Sequence, residues 1–362
     1  MGVRLAVIAG FLGSGKTTAI SKIAKTLTLQ GKKVGIVTND QSENLVDTLF
    51  LSSDGYSVVE VAKGCFCCNF DEFTLKLKSI SEKEMPDIIL AEPVGSCTDL
   101  VATIFKPIMN NYTKNFILSP LSVLVDPARL AKFIKGIQHN YLNEINYLFD
   151  KQLAEADIIL LNKCDSISAS DASKFADFLK NRYTGAKILP VSSKEETGLD
   201  NWIDIIANMH ASDKQLYDID YDIYASAEAL LGWYNGQCTI CCENAIDINS
   251  FVLSLLESIR IKCKGKNYDI AHLKAYAVSG TDYAKASVTS TENVPHFDAK
   301  TTLDAKNFNL LLNARVNAPF QDISLLCAAS LEETAKNYSC SINDYIYDCF
   351  SPKYPKPKFR IS

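Results

Sequence analysis

Three cysteines stand within four residues of one another in the stretch GCFCC, residues 64–68. Cys65 and Cys67 are two positions apart, so in an extended backbone their side chains leave on the same face. Cys68 points the other way unless the chain turns, and the flanking glycine and asparagine favour a turn. Thiolates at this spacing suit Zn²⁺, Co²⁺ or Cu⁺. The stretch therefore indicates a transition-metal site, with three buried packing residues or a redox pair as the alternatives.

A second group of reactive residue types lies near the N-terminus, in GFLGSGKTT at residues 10–18. It matches the phosphate-loop pattern G-x-x-x-x-G-K-[ST] between an apolar strand pattern and a helical pattern. Backbone N–H groups and the helix N-terminus of such a loop hold phosphate oxygens. Lys16 is expected to reach the β- and γ-phosphates, and the Thr17 hydroxyl to bind Mg²⁺. The residues predicted to bind the nucleotide here are Gly10, Gly13, Ser14, Gly15, Lys16, Thr17 and Thr18.

NKCD, at residues 162–165, follows the apolar run ADIILL and predicts recognition of a guanine base. Asp165 would accept hydrogen bonds from the ring N–H and the exocyclic amine of guanine, a pair of donors that adenine lacks. Lys163 would lie over the base, and Asn162 would help to select it. Ser192, in the later stretch PVSS, is a further candidate for contact with the base.

Two carboxylates are expected at the phosphate edge of the site. AEPVG ends an apolar run, so Glu92 would hold Mg²⁺ through water and the Gly95 N–H would sense the γ-phosphate. Asp40 ends GIVTND, with a helix N-cap or turn role as the alternative. The predicted catalytic residues are Lys16, Thr17, Glu92 and Gly95. The predicted metal-binding residues are Cys65, Cys67, Cys68, Thr17, Glu92 and Asp40.

Together, GFLGSGKTT, GCFCC, E-x-x-G at 92–95 and NKCD resemble the SIMIBI-class metallochaperone GTPases of the CobW family. The resemblance covers residues 1–205 and becomes loose beyond them. It implies a GTP-hydrolysing metallochaperone that uses GTP/GDP and Mg²⁺ and delivers Co²⁺ or Zn²⁺ to a client metalloprotein or a cofactor pathway. It also implies a dimer formed around nucleotide. We expect slow turnover, since no glutamine or arginine finger is evident.

The chain departs from the family pattern in places. It has NDQSEN where many relatives have NEFG, so Asp40 or Glu43 would replace a glutamate near the metal. DIYASAEALLGWYNGQ, AEPVGSCTDL and LSPLSVLVDP resemble a branch associated with corrinoid-dependent methyltransferases. A corrinoid protein is therefore a candidate client. The alternative functions are a GTPase switch or reactivator for such a methyltransferase, with structural cysteines, and a metal buffer that ignores nucleotide.

The elements that must position these motifs alternate between short apolar runs and amphipathic runs, which indicates a parallel sheet. We expect the α/β fold of a P-loop NTPase, with a mostly parallel sheet covered by helices on both faces, plus a small C-terminal α+β domain. The predicted divisions are a P-loop GTPase domain at 1–210, a connector at 211–245, the small domain at 246–350 and a loose, Pro- and Lys-rich tail at 351–362.

Composition narrows the function classes. The 362 residues carry a net charge of −5 and no basic stripe, which argues against nucleic acid as a partner. No apolar run approaches the roughly 20 residues of a membrane span. We therefore expect a cytoplasmic protein with mostly reduced thiols among its 12 cysteines.

The remaining cysteines form one further group. Cys238, Cys241 and Cys242, in QCTICCEN, have a metal or redox spacing but lack a completing pair, so a second site is left open. The cysteines expected to serve in packing are Cys97, Cys164, Cys263, Cys327, Cys340 and Cys349.

Overall fold

The structure is a computed structural model that describes residues 2–39, 51–52, 56–62, 64–139, 143–213 and 216–361. The described chain divides into two compact units. The first holds the residues up to Ala227 together with 354–361, and the second runs over Glu228–Lys353. No helix within the described ranges is both long and apolar enough to cross a membrane.

The first unit alternates strands with helices, as its apolar runs predict. Its strands are β1 (Val3–Gly10), β2 (Val34–Asn39), β3 (Ser57–Val61), β4 (Ile88–Glu92), β5 (Phe116–Leu118), β6 (Ser122–Val125), β7 (Ile158–Leu161) and β8 (Lys187–Pro190). Its α-helices are α1 (Lys16–Leu29), α2 (Phe70–Glu84), α3 (Lys106–Asn111), α4 (Pro127–Gln138), α5 (Glu144–Glu155), α6 (Ala169–Arg182), α7 (Leu199–Asn208) and α8 (Tyr221–Ala229). A π-helical turn at Val101–Phe105 leads into α3.

Among the described residues, eight strands form one parallel sheet in the order β3-β2-β4-β1-β6-β7-β8, with β5 beside β1. The chain builds outward from β1 toward β2 and β3 on one side and toward β6, β7 and β8 on the other. Because crossovers between parallel strands are right-handed in nearly all proteins, connections that run in opposite directions from β1 are expected to place helices on opposite faces. The strand order reverses beside β1, and ligands of such sheets bind at the carboxyl ends of the strands at that point.

The second unit is an antiparallel sheet with two helices. Its strands are β9 (Leu231–Asp247), β10 (Asp269–Ser279), β11 (Asp282–Val288), β12 (His296–Ala299), β13 (Asp304–Asn317) and β14 (Cys340–Phe350), and its helices are α9 (Ile248–Gly265) and α10 (Phe320–Asn337). The described strands pair in the order β12-β11-β10-β13-β9-β14. Apolar residues of both helices and of the sheet share one buried core. The predicted fold class, a parallel P-loop sheet followed by a small α+β part, is confirmed.

Two of the predicted boundaries differ from the structure. The connector predicted at 211–245 contains most of β9, which pairs with β13 on one edge and β14 on the other. The first half of β9 is buried on both faces, so its sequence lacks the alternation that marks a strand. The tail predicted to be loose belongs to the first unit over residues 354–361, because backbone and side-chain contacts described below hold it there.

The cysteines of β9 do not gather into a metal site. Cys238 and Cys241 are three positions apart on a strand, so their side chains point to opposite faces. Cys238 is buried, whereas Cys241 is half-buried. Cys242 forms a disulfide with Cys340, its register partner on β14. The prediction that Cys340 serves only in packing is therefore wrong, because strand pairing brings together two thiols that are 98 residues apart in sequence.

We predict that the Cys242–Cys340 disulfide stabilises the second unit. A disulfide restricts the unfolded chain, more so when the closed loop is long, and typically contributes about 2–4 kcal/mol. Reductant should lower the midpoint of urea unfolding of the oxidised protein. The Cys242→Ser variant should unfold at that lower midpoint with or without reductant. Equal midpoints for the oxidised and reduced wild-type protein would contradict a stabilising crosslink.

Candidate nucleotide and thiol site

The predicted site residues that the structure describes lie at one edge of the parallel sheet. Gly10 ends β1, Glu92 ends β4, and Asn162 directly follows β7. The cysteine stretch follows β3, with only residues 62 and 63 between them. Parallel strands have all their carboxyl ends on the same side, so the topology brings together motifs that are far apart in sequence.

The phosphate loop has the backbone that its glycines predict. Gly10, Gly13 and Gly15 have φ values of 139°, 77° and 91°, in the region that side chains disfavour. A Cβ at Gly10 would come within 2.5 Å of the Leu124 carbonyl oxygen, so that position also requires glycine sterically. Lys16 donates from Nζ to the Gly10 carbonyl at 2.8 Å, which places its ammonium inside the loop.

The groups lining this loop fit a magnesium-bound nucleotide. The Ser14 hydroxyl is buried without a hydrogen-bond partner among the described residues, as a donor reserved for a ligand would be. The Thr17 hydroxyl donates to Glu92 Oε1 at 3.0 Å, so a hydroxyl and a carboxylate meet where Mg²⁺ was predicted. These are the hard oxygen ligands that Mg²⁺ prefers. Thr18 lies half-buried in the first turn of α1.

Asn162 ties the base-recognition motif to the phosphate loop. Its Nδ2 donates to the Ser14 carbonyl at 2.9 Å. Its Oδ1 accepts from both the N–H and the hydroxyl of Ser193, each at 2.9 Å. Asn162 thus connects its own loop to the phosphate loop and to the loop after β8. In this arrangement its amide group hydrogen-bonds with protein atoms.

Lys163 and Asp165, the residues predicted to contact guanine, lie in the loop after β7 beside the phosphate loop. Lys163 donates to the Gly13 carbonyl and to Asp126 Oδ2, both at 2.7 Å. The Asp165 carboxylate is exposed, and Ser192 donates to its Oδ1 at 2.5 Å. Sequence reasoning missed Asp126, although it ends the apolar run LSVLV just as the other site residues end theirs.

The cysteine stretch turns back on itself so that all three sulfurs meet. Cys65 Sγ and Cys67 Sγ are 3.0 Å apart, and Cys67 Sγ and Cys68 Sγ are 4.0 Å apart. Within the described residues, these three are the group of His, Cys, Asp or Glu side chains close enough to hold a metal ion, all within 4.8 Å of one another. The turn predicted beside the flanking glycine and asparagine is what brings Cys68 to the same side.

Asn39, the last residue of β2, holds the thiol loop in shape. Its Nδ2 donates to the carbonyls of Val61 and Gly64 at 2.8 and 2.7 Å, and its Oδ1 accepts from the Phe66 N–H at 2.9 Å. The Phe66 ring stacks on Phe73 at 4.1 Å, which anchors the loop to α2. Asn39 was not predicted as a site residue. Asp40 and Glu43, which follow it, lie outside the described residues.

Cys97 adds a fourth thiol to this region. It is buried, and its side chain hydrogen-bonds with Cys65 and Cys67. Hydrogen bonds from Cys67, Cys68 and Cys97 hold the pKa of Cys65 well below its usual value. The hydrogen bond with Cys65 raises the pKa of Cys67 and brings that of Cys68 to about 12. Cys97 is buried, in keeping with the packing role expected of it, and the loop after β4 also brings its thiol beside the other three.

Two side chains of α5 hydrogen-bond with the loop that carries Cys97. Gln152 Nε2 donates to the carbonyls of Gly95 and Cys97 at 3.0 and 2.7 Å. The Glu155 carboxylate accepts from the N–H groups of Asp99 and Val101 at 2.5 and 2.9 Å, and also from the Thr98 hydroxyl. A Cβ at Gly95 would lie 2.9 Å from the Leu12 side chain, so the same loop packs closely on the phosphate loop.

Glu155 makes the stability of this loop depend on pH. Burial raises its pKa to about 7, above the ordinary value of 4.5. The folded state therefore binds more protons between these values, and the free energy of unfolding should fall by up to about 3 kcal/mol as pH rises through that window. In Glu155→Gln that fall should be absent. Urea unfolding across the pH range measures it, with the exposed Glu82→Gln as control. Identical pH slopes in wild type and Glu155→Gln would contradict the assignment.

The sequence model described as "CobW/HypB/UreG, nucleotide-binding domain" matches residues 4–190, more than half of the chain. A zinc chaperone CobW of Sinorhizobium sp is 30% identical over 200 residues, which are 49% of this chain and 55% of that protein. Zinc chaperone YeiR of Escherichia coli is 31% identical over 169 residues, 45% of this chain and 47% of that protein. The chain spans about half the length of the curated relatives it matches.

Solved structures give matches at lower identity. Zn(II)-bound YjiA GTPase from E. coli is 15% identical and aligns with 91% of this chain and 99% of its own, at a TM-score of 0.40. HypB from Helicobacter pylori in complex with nickel is 18% identical and aligns with 59% of this chain and 92% of its own, at a TM-score of 0.43. The match over residues 4–190 confirms the resemblance predicted from the four motifs: the chain belongs to the CobW/HypB/UreG family.

Proposed function

We propose that this protein is a GTP-hydrolysing metallochaperone that carries a thiolate-bound transition metal to a client metalloprotein. The observation that carries the proposal is the meeting of three cysteine sulfurs, within 4.8 Å of one another, at the sheet edge that also bears the phosphate loop. Curated relatives are named zinc chaperones, which favours Zn²⁺ as the cargo and makes Co²⁺ the second candidate. The proposal further includes a client that holds a corrinoid and a dimer that forms around nucleotide.

Different residues of the chain would bind different parts of the nucleotide. The phosphate-loop N–H groups and Lys16 would hold the phosphates, and Thr17 with Glu92 would hold Mg²⁺. When bound, Mg²⁺ neutralises charge that develops on the transferred phosphoryl group. Asp165 would select guanine, with Lys163 covering the base. Asn162 would act through the loops that it joins. We expect slow hydrolysis, since the sequence offers no evident group to orient the attacking water.

The contacts supply a path by which nucleotide could alter the metal site. Gly95 packs against Leu12 of the phosphate loop, and Cys97, two residues later, contacts Cys65 and Cys67. A shift of Gly95 toward a γ-phosphate would therefore move a thiol that belongs to the cluster. This arrangement favours a switch that loads metal in one nucleotide state and releases it in the other.

A Co²⁺ titration of the reduced protein tests the proposal. With Mg²⁺ and a non-hydrolysable GTP analogue, we expect one Co²⁺ per chain, a thiolate-to-cobalt charge-transfer band and tetrahedral d–d bands. Affinity should be at least about tenfold lower with Mg²⁺–GDP, a difference of about 1.4 kcal/mol. Cys67→Ser should abolish the band, and Cys97→Ser should reduce the difference between nucleotides. Cys349→Ser, at a half-buried thiol of the second unit, is the matched control.

The other outcomes of this titration would favour a different function. Equal affinity in both nucleotide states would favour a metal buffer. A protein that hydrolyses GTP but gives no thiolate band would contradict metal delivery. It would favour a GTPase switch for a client such as a corrinoid-dependent methyltransferase, with Cys65 and Cys67 as buried structural residues.

Asp165→Asn tests the guanine assignment separately. An amide cannot accept both hydrogen bonds from guanine, so GTP affinity should fall roughly 10- to 100-fold. Xanthosine triphosphate, which offers an oxygen in place of the exocyclic amine, should bind the variant better than it binds the wild type. Competition binding with a fluorescent nucleotide measures both. Asp177→Asn, at an exposed aspartate on α6, is the control. Unchanged GTP affinity in Asp165→Asn would remove Asp165 from the base site.

A further inference from the structure

Residues 354–361, here called the C-terminal strap, lie directly on the thiol loop. The Lys358 N–H donates to the Cys67 carbonyl at 2.9 Å. The Lys356 backbone hydrogen-bonds with the Cys68 thiol. Lys358 also forms an ion pair with Asp71 in the first turn of α2. The strap is therefore bound both to the backbone and to a sulfur of the predicted metal motif.

The far end of the strap is bound to the loop that carries Cys97. Arg360 Nε donates to Asp99 Oδ2 at 2.7 Å, and the Asp99 side chain is only 4% exposed. Tyr221 donates to the same oxygen at 2.7 Å. The Ile361 N–H donates to the Ala102 carbonyl at 3.1 Å. The strap thus spans from the cysteine stretch to the loop that follows Gly95.

The attachment is made mostly of polar contacts, which also include Arg360 Nη2 to the Tyr217 carbonyl at 2.9 Å and the Tyr354 hydroxyl to Asp222 Oδ1 at 3.0 Å. Residues 354–361 contain no helix or strand, and most of their side chains are exposed. The Phe359 ring meets Phe70 edge-on at 5.3 Å, yet Phe359 remains 39% exposed. Segments with little buried apolar surface open at low free energy while the rest of the fold stays intact. The strap can therefore detach without unfolding of the sheet.

We propose that the C-terminal strap is an intramolecular cover over the thiol cluster, latched by Arg360 and Asp99, and that its detachment admits metal and acceptor to the sulfurs. The part of this inference that concerns metal rests on the proposed function, whereas the cover itself does not. Asp99 lies two residues beyond Cys97, on the loop that packs against the phosphate loop at Gly95. A movement of that loop with nucleotide state would act on the latch and on the fourth thiol together.

Alkylation of the reduced, metal-free full-length protein tests the cover without any metal. The rate of iodoacetamide modification at Cys65, Cys67 and Cys68 is followed by peptide mass spectrometry, with Cys349 as internal reference. Arg360→Gln removes the charge of the ion pair on the side of the strap. Asp99→Asn removes the opposite charge, on the side of the loop. Asparagine also tolerates the positive φ of 62° found at position 99. Both variants should react at least about threefold faster at the thiols of Cys65, Cys67 and Cys68, with Cys349 unchanged.

Arg182→Gln is the matched control, because Arg182 forms a comparable ion pair with Asp150 at 2.9 Å elsewhere in the first unit. Phe359→Ala supplies a second way to loosen the strap without touching a charge. Equal rates in wild type, both latch variants and Phe359→Ala would overturn the cover. Acceleration by Arg182→Gln as large as that by Arg360→Gln would also overturn it, since it would show general loosening.

Transfer of Zn²⁺ to a chromophoric chelator tests the effect of the cover on metal. The Zn²⁺-loaded latch variants should release metal at least about threefold faster than wild type, with unchanged stoichiometry. If the latch variants are alkylated faster but release Zn²⁺ at the wild-type rate, the strap does not control metal exchange. A protein that takes up no Zn²⁺ or Co²⁺ would defeat the proposed function and with it this metal step, and alkylation would still decide whether the strap covers the thiols.

Discussion

The site depends on one constraint, that parallel strands present all their carboxyl ends at the same edge of a sheet. β1, β4 and β7 each end in a residue that sequence reasoning assigned to nucleotide binding or immediately precede one. β3 ends just before the cysteine stretch. Because the strand order reverses beside β1, the helices diverge there and leave the edge open. If any of these strands ran in the opposite direction, its motif would lie at the other edge of the sheet, away from the rest of the site.

Buried polar contacts then convert a shared edge into a defined geometry. Asn162 joins the phosphate loop to the loop after β8, and Asn39 holds the thiol loop through three hydrogen bonds. A hydrogen bond contributes only about 1 kcal/mol net, but a buried amide left without partners costs more. These asparagines therefore specify the loop positions more than they stabilise the fold.

The thiols of the cluster are close together and mostly buried, and these two conditions have opposite effects on the ionisation of a thiol. Burial disfavours a thiolate, while neighbouring thiols donate hydrogen bonds to it, so one sulfur gains negative character at the expense of the others. Such a group binds a soft divalent metal when protons leave. Cys97 contacts this group from the loop that packs on the phosphate loop, and the proposed coupling between nucleotide and metal rests on that loop.

The sequence by itself determined the features that reside in a few consecutive residues. The phosphate loop, NKCD, the cysteine stretch and the alternation of strands and helices are local patterns, and each of the three motifs follows a strand of the parallel sheet as predicted. Only the tertiary structure decided which distant residues complete the site. Asn39 contacts Phe66 across 27 positions, Asn162 contacts Ser14 across 148, and Arg360 contacts Asp99 across 261. No local pattern marks Cys97 as a cluster thiol, residues 354–361 as a strap, or Cys242 and Cys340 as a pair. Their roles arise from chain closure and strand pairing, since contact between residues so far apart depends on the whole topology and not on the residues around either one.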